Sequence, residues 1–193
     1  MKKITAFALT MGLLASGAGA LGQAPPTTAQ APPTPQPTPP AQAAGPAAEA
    51  QLSYARLKGN ILKAADAMPA EDYQFKPTPE IRTFARVVNH VTEAQAHICG
   101  AANQTAPADT TKVPAETADK AAIVLALKAS FAECDKAYAA LTDANTTDML
   151  QMGPVKRTRL GLMWGNVSHD YEQYATLALY MRLKGLVPPS SEK

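Results

Sequence analysis

The chain has 193 residues, 18 Lys and Arg against 16 Asp and Glu, 46% apolar residues and 6% aromatic ones. No basic stripe suggests a nucleic-acid partner, and no acidic tract suggests a polyelectrolyte one. Beyond the N-terminal leader, no stretch approaches the roughly 20 apolar residues that a membrane-spanning helix needs.

Residues 1–20 read as a secretory signal peptide. Lys2 and Lys3 form the positive region, Ile4 to Leu14 the short apolar region, and Ala18-Gly19-Ala20 a small-residue cleavage site. The mature chain is then expected to be secreted or periplasmic. It would carry 16 basic and 16 acidic residues, so the basic precursor pI says little about partners.

Residues 21–46 hold nine of the 17 prolines, mixed with Ala, Gln and Thr and without charge or aromatics. Such a segment has too little apolar surface to order itself and favours extended polyproline II. It is expected to act as a semi-stiff spacer, with a PxxP ligand for a partner domain as the rival reading.

Residues 47–193 are one domain's worth, and apolar residues there recur at helical spacing between prolines. The first helix is expected over about 47–68, with Tyr54, Leu57, Ile61, Ala65 and Met68 on one face. A Pro-spaced connection follows. The second helix starts near Thr78 or Glu80, runs to Ala102, and turns Phe84, Val87, Val91, Ala94 and Ile98 inward. The third spans about 117–141, with Thr117 offering an N-cap hydroxyl and Ile123, Leu127, Phe131, Cys134 and Tyr138 in register.

Residues 142–156 read as a long link containing Gly153-Pro154. The fourth helix, about 158–184, would be roughly 40 Å long, and Gly185 suits the left-handed position that ends helices. No convincing alternating strand pattern is present. The expected class is all-α, a four-helix bundle.

The histidines are His90, His97 and His169. His90 and His97 share a helix face but stand about 10 Å apart along the axis, too far to reach one ion. A lone His on an apolar stripe is commonly a hydrogen-bonded core residue or partly exposed, and His97 is read so. His90 points inward at mid-helix, where a neighbouring helix can present His169.

His169 and Gln173 stand one helical turn apart on one face. An amide oxygen is a weak ligand for Zn²⁺ or Ni²⁺, so His90, His169 and Gln173 would make a weak divalent-metal set. Glu93 and Glu172 have no spacing that sets them apart. Trp164, Tyr171 and Tyr174 are expected to pack or line a pocket, and Arg182 and Lys184 to complement a helix C-terminus.

Cys99 and Cys134 read as a disulfide in an exported protein, with two free buried thiols as the alternative. No P-loop, G-x-G-x-x-G, H-E-x-x-H, C-x-x-C or Ser-His-Asp order is present.

Several blocks together carry a family resemblance: Met68–Pro77 (MPAEDYQFKP), Thr83–Val91 (TFARVVNHV), Cys134 in the third helix, His169–Tyr174 (HDYEQY) and Tyr180–Ser191 (YMRLKGLVPPSS). Over nearly all of residues 52–192 the chain resembles the DinB-like (DinB/YfiT) superfamily, in its secreted form. The resemblance implies a four-helix bundle whose central pocket commonly holds a divalent metal on three histidines. It also implies frequent homodimers and, among relatives of known activity, transferases and isomerases that use low-molecular-weight thiols.

His90 matches the family's second-helix ligand and His169 the first ligand of its fourth helix. Gln173 stands where the family usually has another His. The expected function is an exported bundle holding a divalent metal weakly, and as an enzyme it would be a metal-dependent hydrolase or thiol transferase. The alternative is a bundle that has lost its metal and binds a small molecule or serves as a structural dimer.

Overall fold

The structure, a computed structural model, describes residues 45–105 and 113–192. The expected leader at 1–20, and the spacer at 21–46 up to its last two residues, lie outside that range. Four helices carry the fold: α1 (Pro46–Ala67), α2 (Phe84–Ala102), α3 (Lys120–Ala139) and α4 (Arg159–Leu183). The chain is a four-helix bundle. α1 and α2 each pack against both α3 and α4, so α3 and α4 face each other across the centre.

The apolar stripes explain this packing. Tyr54, Leu57, Ile61, Ala65 and Met68 are all buried, as are Ile123, Leu127, Phe131, Cys134 and Tyr138. On α2, Phe84, Val87 and Val91 are buried, whereas Ala94 and Ile98 are only half-buried. Tyr54 stacks on Tyr138 with ring centroids 3.8 Å apart, which joins α1 to α3. The Tyr54 hydroxyl donates to the Asp135 carboxylate at 2.7 Å, so this buried phenol keeps a partner.

Helix ends depart from the sequence expectation in instructive ways. α2 begins at Phe84 rather than near residue 80, because the Thr83 hydroxyl accepts from the Arg86 N–H at 3.0 Å. The preceding residues instead dock on the bundle. Phe84 N–H donates to the Phe75 carbonyl, and Ala85 N–H to that of Tyr73. α3 begins at Lys120, not Thr117, with Asp119 at its N-cap and no side-chain cap bond. Lys120 Nζ reaches back to the carbonyls of Asp66 and Met68 at 2.6 and 2.8 Å, supplying the donors that the end of α1 lacks.

The link at 142–156 is not wholly irregular. Met149–Met152 (β1) and Val155–Thr158 (β2) form an antiparallel hairpin. Its two-residue turn places Gly153 at φ 55, a conformation glycine adopts without steric cost. Four-residue strands are too short to show a period, which is why the pattern was invisible. At the start of α4, Arg159 is buried and donates to the Ala102 carbonyl at 3.1 Å, closing the end of α2.

At the far end of α4, Gly185 takes φ 77 and reverses the chain. Lys184 there pairs with Asp72 at 2.8 Å rather than with its own helix end. Cys99 and Cys134 are both fully buried, with Cα atoms 5.0 Å apart, and are joined as a disulfide between α2 and α3.

Candidate functional site: a histidine pair backed by a buried carboxylate

α2 and α4 each turn one histidine toward the other. His169 Nε2 lies 3.2 Å from His90 Nε2, and the rings meet edge to face with centroids 5.0 Å apart. Both side chains are partly open, 28% exposed for His90 and 20% for His169. Gln173, one turn further along α4, is buried. His97 is exposed and stands apart, beside the hairpin on a groove that Lys156 and Gln151 also line.

The outer nitrogens of the pair face carboxylates. His90 Nδ1 is 3.8 Å from Glu93 Oε2, and Glu93 is itself clamped by the Arg86 guanidinium through bonds of 3.0 and 2.9 Å. His169 Nδ1 is 3.5 Å from Asp170 Oδ1, an electrostatic contact in which neither atom has a well-aligned hydrogen bond.

Asp170 is fully buried and belongs to a polar chain through the bundle centre. Its Oδ2 accepts from Gln95 at 3.3 Å and from Asn166 at 3.2 Å. Gln95 in turn accepts from Ser130 at 2.7 Å. Asn166 also donates to the Tyr138 hydroxyl at 3.3 Å, which donates to the Met163 carbonyl at 2.8 Å.

Burial sets the electrostatics. Removal from water pushes the Asp170 carboxyl above the usual carboxylate range, opposed by hydrogen bonds from its neighbours. His90 is lowered, first by burial, then by the positive fields of Arg82 and a charged His169. It is thereby biased toward the neutral imidazole, the form that coordinates metals.

Two imidazole nitrogens sharing a tetrahedral ion at about 2.05 Å would be about 3.3 Å apart, close to the separation here. A carboxylate stands near each outer ring nitrogen, at 3.8 and 3.5 Å, beyond a well-formed hydrogen bond but with the charge that commonly supports metal-bound histidines. The donor set is nonetheless thin. Among the described residues, no three His, Cys, Asp or Glu side chains cluster as a metal site, so the third donor would be the neutral Gln173 amide. The residues present therefore fit a cation held weakly.

Sequence reasoning passed over Asp170, Gln95 and Asn166, and read Glu93 as having no spacing that sets it apart. The signal was present: Asn166, Asp170 and Gln173 are polar residues at core spacing on α4, and Glu93 lies one turn after His90.

A profile of the DinB superfamily matches residues 51–177. No curated protein matches the chain. Solved structures share its fold at low identity. A DinB-like protein from Bacillus cereus ATCC 10987, 15% identical, aligns with a TM-score of 0.60 over 72% of this chain and 93% of its own. A DinB-like protein from Bacillus subtilis, 12% identical, gives 0.58 over 71% and 92%. A conserved protein from Enterococcus faecalis, 15% identical, gives 0.58 over 73% and 98%.

Proposed function

The chain belongs to the DinB superfamily, and from that premise we propose that it is an exported bundle binding a divalent cation, Zn²⁺ or Ni²⁺, through His90, His169 and Gln173. One observation carries the reading: two histidines 79 positions apart bring their Nε2 atoms within 3.2 Å. Two imidazole nitrogens at that separation, each on its own helix, are placed to ligate one ion together.

In this reading His90 and His169 hold the cation, and Gln173 adds a carbonyl oxygen. Glu93 and Asp170 orient the rings from behind. The bound cation would supply Lewis acidity toward a water or a thiol. Hydrolysis suits an exported protein better than transfer to a thiol cofactor, because the compartment is oxidising. Export rests on the leader at residues 1–20. No helix among the described residues is long and apolar enough to cross a membrane. A homodimer is proposed on the family's habit alone.

The same 3.2 Å favours a second reading, in which one neutral ring donates its Nε2–H to the other and no metal binds. The bundle would then be a small-ligand or structural module. Elemental analysis of protein secreted into Zn²⁺- or Ni²⁺-supplemented medium separates the two. Metal in the wild type that is lost in both His90→Ala and His169→Ala supports the first reading. A metal-free protein whose imidazole ¹⁵N spectrum shows a His–His hydrogen bond overturns it and selects the second.

A further inference from the structure

On the opposite flank of α4 from the histidine pair, α1 and α4 enclose a groove of about 570 Å³. Its polar lining consists of Arg56 and Asn60 from α1, Tyr171, Tyr174 and Arg182 from α4, and Ser190 from the turn that follows. Ala175 and Ala178 form an apolar floor between the ends. We propose that this groove binds an elongated small dianion, with a carboxylate at each end and an apolar middle.

Charge is the first ground. Among the described residues no Asp or Glu lines the groove, and neither Arg56 nor Arg182 is within ion-pair distance of a carboxylate. Most other basic side chains on the bundle do have such a partner, Lys58 with Asp135 and Lys184 with Asp72 among them. The acid nearest in sequence to Ser190, Glu192, pairs with Lys63. Two guanidinium groups thus share one concave surface without a counter-charge among the described residues.

Pre-organisation is the second. Arg56 donates to the Tyr171 hydroxyl, with its guanidinium carbon 5.9 Å from the ring centroid, beyond the hydroxyl edge. Arg182 donates to Ser191 Oγ at 2.9 Å. Both are anchored by neutral acceptors, which leaves their charge and further N–H groups available. The Tyr174 hydroxyl accepts from the Ser190 N–H at 2.8 Å, so its own hydrogen remains to be donated. The groove is an array of donors, and an acceptor-rich ligand completes it.

The span decides the ligand's length. Arg56 meets the hydroxyl of Tyr171, while Arg182 leans back to the Ala178 carbonyl at 3.5 Å. Seven residues of helix separate those two levels, about 10 Å. A single carboxylate cannot bridge that distance, whereas a medium-chain diacid can, laying its methylenes along Ala175 and Ala178.

Calorimetric titration of the full secreted chain at low salt with succinate, suberate, sebacate and octanoate tests the proposal. Suberate or sebacate should bind saturably, one per chain, and roughly tenfold more tightly than succinate or octanoate. Arg56→Gln and Arg182→Gln should each weaken binding by roughly tenfold, at exposed positions that leave the circular dichroism unchanged. His90→Ala should bind the diacid as wild type does, so failure of the metal reading leaves this one standing. No saturable binding by any diacid, octanoate binding equal to the diacids, or undiminished binding in the double arginine variant would each overturn it. Conversion of a wild-type dimer to monomer by that double variant would do the same, marking the groove as a subunit contact.

Discussion

Asp170 Oδ1 lies 3.5 Å from His169 Nδ1, while the other oxygen of that carboxylate accepts from Gln95 and Asn166. A side chain next to the histidine pair is thereby tied to the hydrogen bonds that cross the bundle centre. Asp170→Ala would leave the buried Gln95 amide without its acceptor and Asn166 with only the Tyr138 hydroxyl, and should cost about 2–4 kcal/mol in urea unfolding. Asp170→Asn keeps an acceptor oxygen and should cost less. Equal loss in both variants would show that the carboxylate's hydrogen bonds contribute little.

Gln173 sets the strength of the proposed metal site. Replacing its amide by imidazole in Gln173→His should raise Zn²⁺ or Ni²⁺ affinity by at least about a hundredfold, since imidazole is much the better donor. Competition titration against a chromogenic chelator reads this directly. If the variant stays as empty as a His90→Ala control, the three positions do not converge on one ion.

The Cys99–Cys134 bridge closes a 35-residue separation between two helices that pack directly. In the chain-entropy account, opening it should lower stability by about 4 kcal/mol, because the reduced unfolded chain gains freedom. Thermal unfolding with and without reductant, and of a Cys99→Ser/Cys134→Ser variant, measures the loss. An intact mass lacking the two-hydrogen deficit of a bridge would show free thiols instead.

Tyr54, Tyr73, Tyr138 and Tyr180 all have phenol pKa values raised above the ordinary value, with burial the largest cause in each. The unfolded phenol titrates near about 10. A raised folded value means that stability is fully present below that pH and falls as pH rises above it. Absorbance at the phenolate band should therefore show these four ionising together with the loss of helical circular dichroism above about pH 10. Their ionisation in a still-folded bundle would contradict the burial described for them.

The stripes on α1 and α3 were readable because five residues at helical spacing on each all face one side and leave no second solution. The start of α2 was not. Pro77 and Pro79 pointed to a helix opening soon after them, yet residues 73–75 found better partners in the backbone of Phe84 and Ala85. The hairpin at 149–158 escaped for want of length. The histidine pair was legible from His90 and His169 in part through family likeness. Asp170 was passed over because a charged residue beside a ligand histidine ordinarily faces solvent, and only its burial against Gln95 and Asn166 reveals it.

The sequence by itself determined the helical class, the number of helices and most of their inward faces. Those properties follow from local periodicity and residue type, which act within one helix. Tertiary structure alone decided that α2 and α4 lie close enough to bring two Nε2 atoms within 3.2 Å. It also decided that Arg56 and Arg182 share a groove that, among the described residues, no carboxylate lines. Relations between helices depend on how whole faces pack, and no single segment encodes that packing.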